Sequence, residues 1–418
     1  MKTTYKLFSF NFSIIFFLFL LSGCGSESSV VTPDADQKVL LISIDGFMNQ
    51  YIDRNPTPNF DQMIANGTKA EHLIPVFPTK TFPNHYSQVT GLLAENHGII
   101  SNSFPDDSLG GRFSYGPPDG SSNDERWWGG EPIWITAELQ GKTAATMFWP
   151  GSEASINGVQ PTKWKQYDGS VDNYARIDSV ISWLDPEGEV KADLSTLYFS
   201  HVDSRGHRYG PDSPEVDQAV MNADSLLGYL WEKVDKAGLR DQLNVIVVSD
   251  HGMAELSEEK VIFLDDLIDM DRVEMIDWSP VAMLKPDEGM RDEIYQALKL
   301  DEENYRVYFK EELPSEYGFT DHYRIPDIIM IADVSYSISS REFFEDRGIP
   351  AGMHGYDHQA PEMATIFIAS GPAFPSGETV PAFSALNLYE LMAHILELEP
   401  AENDGTLNEV KRIMVDSQ

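Results

Sequence analysis

The sequence predicts an α/β fold with a mostly parallel central sheet and helices on both faces. Short apolar runs rich in β-branched residues alternate with amphipathic stretches, and each run ends in a polar cluster. Continuous apolar character is typical of strands that are covered on both faces. The runs expected to be strands are residues 39–44, 143–149, 194–200, 245–249, 325–332 and 364–369.

Helical periodicity marks several segments between these runs. Apolar residues recur there every three or four positions, which gives a helix one face for packing on a sheet. The segments expected to be helices are residues 59–66, 174–184, 213–236 and 384–396.

Two further regions depart from this alternation. Residues 104–130 are rich in Gly, Ser, Pro and Asp, which predicts a long ordered loop. Residues 255–352 combine a helical segment, 290–299, with strand-like runs at 306–310 and 327–331. We expect this region to be a small α+β excursion from the main sheet.

The start of the chain differs in character from the rest. Residues 8–21 are almost wholly apolar, follow two lysines and precede Ser22, Gly23 and Cys24. The run is short for a membrane span and has the flanks of a secretory signal. Its ending resembles a bacterial lipobox, with a plain transmembrane anchor as the alternative. We therefore expect a lipoprotein signal peptide over residues 1–24 that ends at Cys24.

This interpretation also gives the domain organisation and the location. Residues 25–37 are rich in Ser, Thr and Asp and are expected to form a flexible tether, followed by a single domain over residues 38–418. The protein is expected to be an exported bacterial lipoprotein, anchored to a membrane by lipid on Cys24, in the periplasm or on the cell surface.

Charge and cysteine content restrict the chemistry. The formal net charge is −37 and no cluster of Lys and Arg is visible, so polymeric nucleic acid is not an expected partner. Cys24 is the only cysteine, which excludes thiolate chemistry and cysteine-rich metal sites from the remainder of the chain. Any metal must therefore be held by His, Asp and Glu.

Side chains of the metal-ligand type stand next to four of the apolar runs. Ligands gather at the carboxyl ends of strands in open α/β sheets, and imidazole with carboxylate suits zinc held by three protein groups. A single strand-end Asp or a lone His is more often a turn or core residue, but several such groups together are hard to obtain from turn chemistry. The sequence therefore predicts two cation sites, whose division spacing alone does not fix, built from Asp45, Asp203, His207, Asp250, His251 and His354.

A candidate nucleophile lies in residues 76–85, Val-Phe-Pro-Thr-Lys-Thr-Phe-Pro-Asn-His. Thr81 stands between two prolines, in a segment too constrained to be a helix interior. A bound cation can activate such a hydroxyl by lowering its pKa. Without the cation sites, Thr81 could simply cap a helix, and Thr79 could serve equally well.

Taken in order, these motifs resemble the nucleotide pyrophosphatase/phosphodiesterase family within the alkaline phosphatase superfamily. The resemblance runs from about residue 39 to about residue 370. The motifs that carry it are Ser-Ile-Asp-Gly at 43–46, the segment 77–85, His-Gly-Ile-Ile-Ser-Asn at 97–102, the pair Asp203 and His207, Ser-Asp-His-Gly-Met at 249–253, and His-Gly-Tyr-Asp at 354–357.

The resemblance implies an alkaline phosphatase-like fold, a catalytic phosphodiesterase domain over residues 38–418 and two zinc ions per chain. It implies that Thr81 attacks phosphorus and forms a covalent phosphoryl intermediate that water then opens. One zinc would carry the Thr81 oxygen, and the other would bind the leaving group and activate the water. The implied ligand sets are Asp45, Asp250 and His251 for the first ion, and Asp203, His207 and His354 for the second.

Three further residues are assigned to the substrate. Asn102 matches the family asparagine that donates a hydrogen bond to a phosphoryl oxygen, and its neutral amide suits a diester, whereas monoesterases commonly place Arg or Lys there. Lys80, beside the nucleophile, is a second candidate contact. Tyr198 matches the position where family members stack a nucleobase, or is merely a buried strand residue.

The expected function is metal-dependent hydrolysis of nucleotides or dinucleotides, small-molecule substrates from which nucleoside monophosphates are released. The alternatives are a phosphodiesterase for phospholipid headgroups, which a lipid anchor would bring within reach, and a phosphomonoesterase, which Asn102 disfavours. A binding lipoprotein without catalysis is disfavoured by the complete set of residues. Manganese or cobalt would also suit ligands of this type.

Overall fold

The computed structural model describes Met1 and residues 37–114 and 121–415. The chain divides into the units Met1–Thr32 and Pro33–Gln418, and the account below concerns the second. The expected signal peptide, Cys24 and residues 25–36 of the expected tether lie outside the described residues. Within the described ranges, each helix is too short or too polar to span a bilayer.

An eight-stranded sheet forms the centre of the described part of the chain. Neighbouring strands are parallel except for the two antiparallel pairings of Phe367–Ser370, so the expected α/β fold with a mostly parallel sheet is confirmed. In spatial order the strands are Glu378–Val380, Thr68–Ala70, Phe367–Ser370, Leu243–Val248, Lys38–Ile44, Leu194–Phe199, Ala144–Met147 and Lys163–Lys165.

The register of the three middle strands positions the functional site. All seven residues of Lys38–Ile44 are buried, as its apolar, β-branched sequence predicts. Ile44 pairs with Phe199, and Ser43 pairs with Val248. The three strands therefore end level with one another, and the polar residues that follow them emerge at one edge of the sheet.

Helices cover both faces of the sheet. Alternate residues of Lys38–Ile44 point to opposite sides, so Leu41 and Ile42 belong to two separate hydrophobic clusters. The described helices are Tyr51–Arg54, Pro58–Ala65, Thr81–Thr90, Ala94–His97, Ile133–Leu139, Asn173–Leu184, His201–Tyr209, Pro214–Lys236, Arg291–Leu300, Arg341–Arg347, Asn387–Ile395 and Leu407–Val410.

A second, antiparallel sheet lies within residues 255–352. Its four strands, in spatial order, are Val273–Asp277, Val281–Pro286, Ile328–Ala332 and Tyr305–Phe309. The expectation that residues 325–332 join the central sheet is wrong, because Ile328–Ala332 is buried instead within the core of this smaller sheet.

Three further short ladders of two strands each pair Leu73–Ile74 with Phe383–Ser384, Val261–Phe263 with Ser337–Ser339, and Ala254–Glu255 with Gly352–Met353.

The expectation of a long ordered loop over residues 104–130 is wrong where the chain forms a hairpin. Phe104 and Phe113 stack with ring centroids 5.1 Å apart, and Gly110 takes a φ of 71° at the turn between them. The composition correctly indicated turns, but it did not indicate that Phe104 and Phe113 pair across a hairpin. This region contains the antiparallel strands Ser103–Asp106 and Gly111–Ser114 and the 3₁₀ turns Ser121–Asn123 and Glu125–Trp127.

Candidate active site

Six Asp and His side chains meet at the carboxyl edge of the central sheet. They form two groups of three, and within each group the candidate ligand atoms all lie within 4.8 Å of one another. The division is the one that the family resemblance implied. The groups are Asp45, Asp250 and His251, and Asp203, His207 and His354.

The first group is buried at the ends of the strands Lys38–Ile44 and Leu243–Val248. His251 Nε2 lies 3.3 Å from Asp45 Oδ1 and 3.0 Å from Asp250 Oδ2. The other carboxylate oxygens are held, since Tyr198 Oη donates to Asp45 Oδ2 at 2.5 Å and Gly46 N donates to Asp250 Oδ1 at 3.2 Å. Asp45 Oδ1 and Asp250 Oδ2 accept no hydrogen bond from the described residues.

The second group depends on one turn of the helix His201–Tyr209. Asp203 and His207 are four residues apart and so share a helix face, with Asp203 Oδ1 3.2 Å from His207 Nε2. His354 Nε2 lies 3.8 Å from the same oxygen. The rings of His251 and His354 stack with centroids 3.4 Å apart, so the two groups adjoin.

Backbone carbonyls fix the tautomer of all three histidines. Their Nδ1 atoms lie 2.8 to 2.9 Å from carbonyl oxygens of Gly352, Gly252 and Thr79. A carbonyl oxygen can only accept, so each Nδ1 carries the hydrogen and each Nε2 presents a lone pair. Lone pairs of nitrogen and carboxylate oxygen that face one point repel unless a cation lies between them, and histidines oriented in this way are typical of metal ligands.

The electrostatics of the first group also favour a cation. Burial and the negative charges of Asp250 and Asp203 raise the pKa of Asp45 well above its ordinary value. Burial lowers the pKa of His251, but the Asp250 carboxylate outweighs it, so this pKa lies above its ordinary value. Both shifts show that the group favours added positive charge, and its nitrogen and oxygen donors fit a divalent metal ion.

Thr81 is the first residue of the helix Thr81–Thr90. Its Oγ1 lies 3.2 Å from His251 Nε2, beside the first group. Thr79 is fully occupied elsewhere, because its buried hydroxyl donates to Tyr356 O at 3.0 Å and accepts from Gly355 N at 3.0 Å. The structure therefore distinguishes the two threonines: Thr81 faces the cation ligands, and Thr79 holds the loop that carries His354.

Asn102 is joined to the start of the same helix. Its Oδ1 accepts a hydrogen bond from Phe82 N at 2.8 Å. This contact orients the amide and leaves its NH₂ group able to donate. Asn102 also lines the cleft described below, so that group can donate to a ligand there.

Contact of Lys80 with the substrate stays a prediction, and the structure gives this side chain a partner within the protein. Lys80 is 7% exposed, and its ammonium forms an ion pair with Asp277, at the end of the strand Val273–Asp277. Asp277 also accepts a hydrogen bond from Ser101 Oγ, next to Asn102. The positive charge beside Thr81 is therefore balanced within the protein.

A cleft of about 410 Å³ opens over Thr81 and both groups. The aromatic side chains of Phe82, Phe148 and Tyr167 line it together with polar groups. Tyr198 also reaches the cleft, but it is 9% exposed and its hydroxyl holds Asp45. Base stacking by Tyr198 stays a prediction.

Two supporting residues escaped the sequence analysis. His85 donates through Nδ1 to Thr81 O at 2.8 Å and lies 3.3 Å from Asp250 Oδ2, so it joins the candidate nucleophile to a candidate cation ligand. Its position four residues after Thr81, on the same helix face, was a usable signal. Asp277 gave no local signal, because it follows Lys80 by 197 residues.

Comparison with known proteins identifies the family of the chain. The sequence model of the type I phosphodiesterase / nucleotide pyrophosphatase family matches residues 39–357. Human ectonucleotide pyrophosphatase/phosphodiesterase family member 5 is 36% identical over 400 residues, which cover 95% of this chain and 82% of that protein. Human bis(5'-adenosyl)-triphosphatase ENPP4 is 36% identical over 406 residues, with coverage of 96% and 87%.

A solved structure is similar over nearly the whole described fold. It is an inactive variant of murine ectonucleotide pyrophosphatase/phosphodiesterase 5 in complex with AMP, with a TM-score of 0.86 and 37% identity. The match covers 91% of this chain and 100% of that one. The family resemblance found in the sequence is thereby confirmed. The chain belongs to the type I phosphodiesterase / nucleotide pyrophosphatase family and is a phosphoric diester hydrolase.

Proposed function

We propose that this enzyme hydrolyses phosphodiester and pyrophosphate bonds of nucleotides, with Thr81 as the nucleophile and two zinc ions as cofactors. The observation that carries the proposal is the 3.2 Å distance from Thr81 Oγ1 to His251 Nε2, where Asp45 and Asp250 also converge. The relatives support the substrate class, since one solved structure holds AMP and one relative is a bis(5'-adenosyl)-triphosphatase.

The residues of the chain have separate tasks in this reaction. Thr81 Oγ1 bonds to phosphorus as the bond to the leaving oxygen breaks; water then attacks phosphorus and restores the hydroxyl. Asn102 donates to a non-bridging oxygen, and a neutral amide suits the single charge of a diester. When bound, the zinc ions supply positive charge that favours the ionised hydroxyl and stabilises the attacking and departing oxygens.

The cleft suits one nucleoside. Its volume of about 410 Å³ is within the range of small-molecule sites, and aromatic rings at Phe82 and Tyr167 offer apolar surface to a base. We propose that the nucleoside bonded to the attacked phosphate occupies this cleft and that the other part of the substrate leaves past Asp203 and His207.

The test compares a nucleoside triphosphate, a choline-type diester and a simple phosphomonoester as substrates. We expect the nucleotide to be hydrolysed at the highest rate. Thr81→Ala should abolish turnover with metal content unchanged, whereas Thr81→Ser should keep measurable activity because a hydroxyl remains. Thr79→Ser is the matched control and should behave like the wild type.

Two results would contradict this proposal. Full activity of Thr81→Ala would remove the covalent mechanism. A rate that is highest with the choline-type diester or with the monoester would instead assign the enzyme to one of the alternative substrate classes.

We also propose that the protein is exported and anchored by lipid on Cys24. The proposal is supported by the charged, apolar and small-residue segments of residues 1–24. The wild-type protein should incorporate labelled fatty acid, and Cys24→Ser should incorporate none. Absence of label from the wild-type protein in the membrane fraction would refute lipid anchoring.

A further inference from the structure

A second groove, of about 550 Å³, adjoins the active site at His207. The side chain of His207 is 31% exposed and lines both the main cleft and this groove. Backbone pairing fixes the groove, because Ala351 N donates to His207 O and Leu256 N donates to Ala351 O, both at 2.9 Å. The two spaces are therefore neighbours that share His207, one of the candidate cation ligands.

The direction of the reaction points to this groove. Thr81 lies beside the group of Asp45, Asp250 and His251, so the departing oxygen of an in-line displacement lies on the side of Asp203 and His207. The main cleft is large enough for one nucleoside. The second half of a dinucleotide must therefore extend beyond His207, where the groove begins.

The main cleft and the groove differ in positive charge, and in the described part of the chain only the groove has a cationic side chain that could contact a polyphosphate. Among the described residues, the main cleft is lined by no Lys or Arg. The groove is lined by Arg208, whose guanidinium has no carboxylate of the described chain within 4.0 Å. In a protein with a net charge of −37, this cation beside the departing side offers a charge-assisted contact to phosphate.

The remaining walls suit a nucleoside. Ile349 and Pro350 offer apolar surface to a base or ribose, and the Glu258 carboxylate can accept from hydroxyl or amino groups. We propose that this groove is the subsite for the leaving half of a dinucleoside polyphosphate, a nucleoside diphosphate whose phosphates contact Arg208. This inference rests on the proposed function and extends it to the leaving group.

The test uses two substrates and two matched variants of the full chain. Diadenosine triphosphate has ADP as its leaving group, whereas p-nitrophenyl thymidine 5'-monophosphate has a small phenol that does not reach the groove. Arg208→Gln removes the groove cation. Arg205→Gln is the control, because Arg205 is exposed on the same helix and also lies over the Tyr209 ring but does not line the groove.

We expect Arg208→Gln to raise the KM for diadenosine triphosphate about tenfold, as expected for loss of one charge-assisted hydrogen bond, with little change on the p-nitrophenyl ester. Arg205→Gln should leave both substrates within about twofold of wild type, since loss of an exposed, unpaired charge has a small effect. Equal melting temperatures of both variants and wild type would show that folding is unaffected.

Each other outcome is decisive. Equal effects of the two variants on diadenosine triphosphate would mean a general charge effect and would overturn the subsite, as would an equal loss on both substrates by Arg208→Gln. If wild type hydrolyses the p-nitrophenyl ester but not diadenosine triphosphate, the chemistry stands and the subsite falls. If it hydrolyses neither substrate, the proposed function itself fails.

Discussion

The ion pair of Lys80 and Asp277 should support both folding and turnover. The two side chains are 8% and 17% exposed, and they join the residue before Thr81 to the small antiparallel sheet. Asp277 also accepts from Ser101, the residue before Asn102. One carboxylate thus contacts the residue before the proposed nucleophile and the residue before the proposed phosphoryl contact.

The size of the effect follows from the burial of the pair. Removing one partner of a buried pair costs about 3 to 5 kcal/mol, because the remaining charge loses its partner without regaining water. Asp277 is partly exposed, so we expect Asp277→Asn to lower the free energy of unfolding by about 2 to 4 kcal/mol. Lys80→Met should have a cost of the same order.

A double-mutant cycle measured by urea denaturation tests this reasoning. Lys80→Met combined with Asp277→Asn removes both charges, so its cost should be smaller than the sum of the two single costs. In Asp277→Asn, kcat should fall about 10- to 100-fold with metal content unchanged, because small displacements of a nucleophile are costly. Additive costs of the two charge removals, or wild-type kcat in Asp277→Asn, would refute the reasoning.

Three further predictions concern other parts of the site and the fold. Burial raises the pKa of Asp106, but hydrogen bonds from Ser108, Tyr323 and Arg324 outweigh it and hold this pKa below its ordinary value. The stability that ionised Asp106 contributes is therefore fully present above the unfolded-state pKa of about 4 and is lost as pH falls. Asp106→Asn should lower the free energy of unfolding by about 3 kcal/mol at pH 7 and by less near pH 3. An equal loss at both pH values would contradict this prediction. His85→Ala should lower kcat about 100-fold in steady-state assays, because the first turn of the helix loses the hydrogen bond that holds Thr81. Unchanged kcat would exclude this positioning role. A chelator should abolish activity and lower the melting temperature, with zinc restoring both; full activity in metal-free protein, verified by elemental analysis, would exclude the metal centre.

The fold class could be predicted from the sequence because strand burial is a local property of the chain. The apolar, β-branched run in Lys38–Ile44 identifies a strand covered on both faces without knowledge of its neighbours. The same signal could not assign residues 325–332 to a sheet, because Ile328–Ala332 is equally buried in the smaller one. An apolar run specifies burial but not the partner that provides it.

The sequence by itself determined the chemical types of the site: six nitrogen and oxygen ligands at strand and helix ends, one constrained threonine segment and a neutral amide. The residues alone left Thr79 and Thr81 open, although the family resemblance favoured Thr81. The tertiary structure separates them physically, because the two have the same local surroundings and differ only in which groups, brought from distant segments, face each hydroxyl. The tertiary structure also provided Lys80 with its ion-pair partner, Asp277. The sequence specifies the chemical type of each residue directly, whereas the partner of a charge or hydroxyl depends on long-range packing that no local pattern encodes.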